Sequence, residues 1–85
     1  MLESAVELAQ NDRAAHAYTW SRRRDLTALG AEMGPVGNLK TGEAVALGYA
    51  TVVKTAAGWE VRHRDVIVLC AGFVCAQAYI LAKFW

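Results

Sequence analysis

Charge is scarce and evenly signed in this 85-residue chain: nine Lys and Arg stand against eight Asp and Glu, for a formal net charge of +1. Without a field of one sign, bulk electrostatics cannot recruit nucleic acid, and an acidic tail is excluded. Cysteine occurs twice. On a helix the five-residue step from Cys70 to Cys75 turns through about 140°, so the two thiols point to different faces and are poorly placed to bridge. Neither has a CxxC partner or a His at ligand spacing, which argues against zinc. Glu3 and Glu7 stand where a secretory signal would carry basic residues, so no leader is expected.

Catalytic motifs are missing as well. Ser4 and Ser21 lack a nucleophile elbow, and Gly30, Gly34 and Gly37 form neither a dinucleotide-binding fingerprint nor a phosphate loop. His16 and His63 are far apart in sequence. Asp12, four residues before His16, adds one carboxylate, which leaves a metal undercoordinated. The expectation is a non-enzyme without metal or cofactor.

Apolar residues are plentiful, at 55% of the chain. So short a domain buries only about 60% of its unfolded surface, so it needs a staple, a partner or a bilayer. Many of these residues collect near one end, where VIVLCAGFVCAQAYILA runs from Val66 to Ala82 without a charge. As a helix this run is about 25 Å long, the lower edge of a membrane span. Arg62, His63, Arg64 and Asp65 stop it on one side; Tyr79, Lys83, Phe84 and Trp85 form an aromatic border on the other. All basic residues except Lys83 precede it. The positive-inside rule then leaves the N-terminal part on the cytoplasmic, matrix or stromal side of the membrane. The competing arrangement is a buried core helix, or a strand Val66–Leu69 followed by a short helix. Only Gln77 interrupts the apolar surface, and the remaining residues are few to wrap such a helix, which favours the membrane.

Upstream, Ser4 and Glu7 have capping-box spacing ahead of a helix expected over residues 4–29. Its apolar stripe changes sides near Asn11 and Asp12, which signals a kink or two pieces. Glycines and Pro35 then mark a hinge. Period-two alternation along Val45, Leu47, Tyr49, Thr51 and Val53, and again along Trp59, Val61 and His63, reads as two strands joined by a loop ending at Gly58. The expected fold is a small α+β membrane protein: a helical segment over 1–33, a hinge over 34–43, a β-hairpin over 44–64 and a single C-terminal transmembrane helix over 65–85.

Two sets of residues are candidates for contact. Gly72 and Ala76 stand four apart, flanked by Cys75 and Tyr79, and offer a surface of small residues for close helix approach. Gln77, on nearly the opposite face, seeks a hydrogen bond from a second helix. Arg22, Arg23 and Arg24 follow Tyr18 and Trp20 closely enough for guanidiniums to grip lipid headgroups or partner carboxylates beside aromatic rings. Arg62, Arg64, Lys83 and Trp85 join them as headgroup or partner contacts. The expected function is a structural or accessory subunit of a larger membrane complex, such as an energy-transducing one, with other membrane subunits, a second copy and the lipid bilayer as partners. Alternatives are a phage or viral virion or lysis protein acting through the same span, and a soluble oligomeric nucleic-acid-binding module, nucleic acid being disfavoured by the charge balance.

Overall fold

The structure, a computed structural model, describes residues 4–85. The first three residues of the segment expected over 1–33 lie outside them. In chain order the elements are α1 (Ala5–Gln10), α2 (Asp12–Ser21), α3 (Arg23–Gly37), β1 (Ala44–Ala46), β2 (Thr51–Thr55), β3 (Gly58–His63), β4 (Val66–Cys70) and α4 (Phe73–Phe84). The four strands form one antiparallel sheet in sequence order. Helix α4 lies between this sheet and the N-terminal helices, touching α1, α2, α3, β3 and β4.

No helix among the described residues is long and apolar enough to cross a membrane. The transmembrane, single-pass and tail-anchored expectations are therefore overturned, and the membrane side assigned to the N-terminal part rests on nothing else. The uncharged run divides in two. Val66, Ile67 and Val68 are β-branched and pair with β3, with Val68 opposite Val61 and Cys70 opposite Trp59. Ala71 and Gly72 then turn the chain into α4, whose twelve residues bury Cys75, Ala76, Ala78, Tyr79, Ile80 and Leu81. A helix apolar on nearly every side needs neighbours on nearly every side. Here three helices and two strands of the same chain supply them.

The single N-terminal helix and the single hairpin are corrected too. Asn11 adopts an extended conformation (φ −121°, ψ 102°), ending α1, while its side-chain oxygen accepts the Ala14 N–H at 3.1 Å and starts α2. Ser4 caps α1 in the same manner, through the Glu7 N–H. Arg22 separates α2 from α3. Helix α3 then runs through Gly30, Gly34 and Pro35, because Leu29, Met33 and Val36 recur at helical spacing and are fully buried. Tertiary burial outweighs the low helix propensity of those residues. The strand expected across 44–53 folds back on itself at Gly48, whose φ of +92° reverses the chain and turns one strand into β1 and β2. The result is a four-stranded meander.

The inner sheet face carries Val52, Val61 and Val68 in one row, packed into the core with Leu8, Leu29, Ile80 and Leu81. Trp59 stitches β3 to the end of α3, its indole N–H donating to the Val36 carbonyl at 3.1 Å. Gly58, at φ +142°, lets the hairpin from β2 pass against β4: a Cβ there would collide with the Cys70 carbonyl.

Candidate functional site

Helices α2, α3 and α4 leave an open groove of about 380 Å³ between them. From α2 come His16, Thr19 and Trp20; from α3, Arg23, Leu26 and Thr27; from α4, Val74 and Gln77. The sequence places them by helical arithmetic, since steps of three and four residues from His16 through Thr19 and Trp20 to Arg23, Leu26 and Thr27 hold one face across the α2–α3 junction. Trp20 is 70% exposed. The Arg23 guanidinium lies over its ring, 4.8 Å from the centroid, which holds a large apolar surface and a cation side by side. Among the described residues, no carboxylate lines the groove. Asp12 is drawn to His16 at 3.5 Å on the rim.

The arginine triplet does not act as a unit. Arg22 is built into the fold: Nη1 donates to the Leu81 carbonyl at 2.7 Å and to the Tyr18 hydroxyl at 2.8 Å, while Nε and Nη2 reach Asp25 Oδ2 at 3.1 and 2.8 Å. Its hydrogen bond to Tyr18, and next that to Asp25, holds its pKa above the ordinary value. Its charge also meets the carbonyl end of α4, where a cation is favoured. Arg23 belongs to the groove. Arg24 is exposed beside it, and together with Arg23 and Trp20 it lines a second, more polar depression.

Of the residues expected to contact other helices, Cys75, Ala76 and Tyr79 are buried within this chain. Gly72 is the residue preceding α4. The Tyr79 hydroxyl lies 2.9 Å from His63 Nε2, and burial, followed by the nearby Cys70, raises its pKa. Gln77 alone of that set reaches the groove, where it joins Arg23. Elsewhere Arg62 pairs with Glu60 at 3.0 Å on the outer sheet face. Arg64 sits in the β3–β4 turn at φ +52°, Lys83 is exposed in the last turn of α4, and Trp85 donates its indole N–H to the Tyr49 hydroxyl at 3.3 Å.

Sequence reasoning missed the groove as a unit. His16, Thr19, Leu26, Thr27 and Val74 become neighbours of Trp20 only when α4 docks, and the one local signal was the three-to-four-residue spacing across α2 and α3. The remaining chemistry is subdued. Burial pushes the Cys70 thiol up to about 12 and raises that of Cys75, which keeps both as neutral S–H groups. Among the described residues no group of three His, Cys, Asp or Glu side chains converges to hold a metal ion. Set against family models, curated proteins and solved structures, the chain matches none.

Proposed function

We propose that this protein is a non-catalytic accessory subunit that docks onto a partner protein through the α2–α3–α4 groove. The observation that carries the reading is Trp20: a tryptophan 70% exposed, ordered by a stacked guanidinium, at the mouth of an apolar groove. Large exposed aromatics beside Arg are the residues that dominate binding energy at protein interfaces. Leu26 and Val74 give the groove an apolar lining, Gln77 offers an amide for orientation, and Arg23 with Arg24 sets a positive rim. The matching partner surface presents an apolar side chain to Trp20 and carboxylates to the arginines.

The test is co-purification of the tagged full-length chain from its native cells, with the partner identified and then reconstituted. Trp20→Ala and Arg23→Glu each lower the affinity for the reconstituted partner at least tenfold, whereas Ala31→Ser, exposed on the same helix as Arg23, leaves it unchanged. The same Trp–Arg stack suits a base and its phosphate. Saturable quenching of tryptophan fluorescence by a single-stranded oligonucleotide, abolished by Trp20→Ala, overturns the protein-partner reading in favour of nucleic acid.

A further inference from the structure

Strand β4 is an edge of the sheet, and its composition is unusual for an edge. Natural edges are blunted by charge, proline, bulges or shortness. Over Val66–Cys70 there is neither charge nor proline, all five residues pair in unbroken register with β3, and Val66, Ile67 and Leu69 are 44%, 62% and 44% exposed.

The backbone directions along this edge follow from the β3–β4 hairpin. Arg64 and Asp65 form a two-residue loop, so the closing pair His63–Val66 exchanges hydrogen bonds, and Val61–Val68 and Trp59–Cys70 do so in turn. Val66, Val68 and Cys70 therefore spend their backbone groups on β3. Ile67 and Leu69 point theirs away from the sheet. Ala71, next in that alternation, confirms the direction, because its N–H leaves the edge to reach the Ala9 carbonyl at 3.3 Å. Among the described residues, helix α1 thus closes the edge at Ala71, and the portion left open is centred on Val68.

We infer that β4 pairs antiparallel with β4 of a second copy of this chain, with the two-fold axis at Val68, to give a continuous eight-stranded sheet. Ile67 then faces the second copy's Leu69, and Leu69 its Ile67. The N–H and C=O groups of both residues are satisfied by four hydrogen bonds, and their side chains form two cross-strand apolar pairs on the outer face. Charge favours this register, acting between the Arg62–Glu60 pairs that each chain already forms on its outer face. In β3, Arg62 lies beside Ile67 and Glu60 beside Leu69. With the axis at Val68, each apolar pair is bracketed by Arg62 of one copy and Glu60 of the other. Moving the axis to Ile67 sets arginine against arginine in the central row, and moving it to Leu69 sets glutamate against glutamate. The register that pairs the free backbone groups about Val68 is also the one whose charges are complementary.

This inference is independent of the groove and is tested on the purified chain alone. Sedimentation equilibrium over a wide concentration range shows a monomer–dimer equilibrium. Ile67→Glu, which sets a carboxylate opposite Arg62 of β3 at an exposed position, weakens it at least tenfold while the thermal unfolding of the monomer changes little. Register is read by disulfide trapping: an equimolar mixture of Ile67→Cys and Leu69→Cys chains cross-links on oxidation, and each variant alone does so far less. A native chain that stays monomeric at all concentrations overturns the proposal, as does a dimer indifferent to Ile67→Glu. Equal cross-linking of the single variants and the mixture overturns the register.

Discussion

Three consecutive arginines look interchangeable in the sequence, yet their surroundings separate them. Arg22 binds a carbonyl of α4, a phenol and a carboxylate, whereas Arg24 is exposed with no hydrogen bond or ion pair among the described residues. Arg22→Ala is expected to cost about 2 kcal/mol of folding stability, since it removes charge-assisted bonds and strands their partners. Arg24→Ala is expected to stay within about 0.5 kcal/mol. Urea unfolding of the two variants measures the difference. Cys70 makes a prediction about pH. Its thiol is held up to about 12 from an ordinary 9.0 by burial, with a smaller contribution from Cys75. Below pH 9 the thiol is protonated in folded and unfolded chains alike and stability is unaffected. Above pH 9 the unfolded chain ionises first, and stability falls by about 1.4 kcal/mol per pH unit until the folded thiol ionises too. Denaturant melts at pH 8 and pH 10 should show a shallower loss for Cys70→Ala than for the native chain.

At the scale of elements, α3 and the Val66–Ala82 run show how far a sequence can be read. The capping oxygens of Ser4 and Asn11 and the alternation of β3 are local properties, visible without tertiary context. Whether Gly30, Gly34 and Pro35 end a helix depends instead on whether Met33 and Val36 find a core. That core comes from strands and from α4, far along the chain. The uncharged run is ambiguous for the same reason, because lipid and five packed elements both satisfy an apolar helix. Local punctuation then decides: Gly72, between β4 and α4, breaks the run into lengths that suit a strand and a short helix. Glycine inside α3 yields a test with an internal contrast. A Cβ at Gly30 meets no atom within 4 Å, so Gly30→Ala should stabilise the fold by about 0.5–1 kcal/mol. Gly34 has the same open space but precedes Pro35, where a side chain disfavours helical backbone, and Gly34→Ala should gain less. Thermal melts of both variants, ranked against the native chain, check the order.

For the whole molecule, the groove and the open edge lie on different elements, one between α2, α3 and α4 and the other along β4. A pair of chains joined at β4 carries two grooves, and a bivalent partner would gain from both at once. The groove could not be assembled from the sequence, because it needs the three-dimensional meeting of residues near 20 with residues near 75. The same separation governs how the protein forms. Helix α4 is the common neighbour of α1, α2, α3, β3 and β4, so whatever has been synthesised before Phe73 has no completed interior. A chain cut after Gly72 should show no cooperative unfolding transition by circular dichroism. Contacts between residues some sixty positions apart, such as Arg22 with Leu81, also imply slow closure. During translation the N-terminal helices wait, partly apolar and unsheltered, and that interval is when aggregation or a chaperone competes with folding.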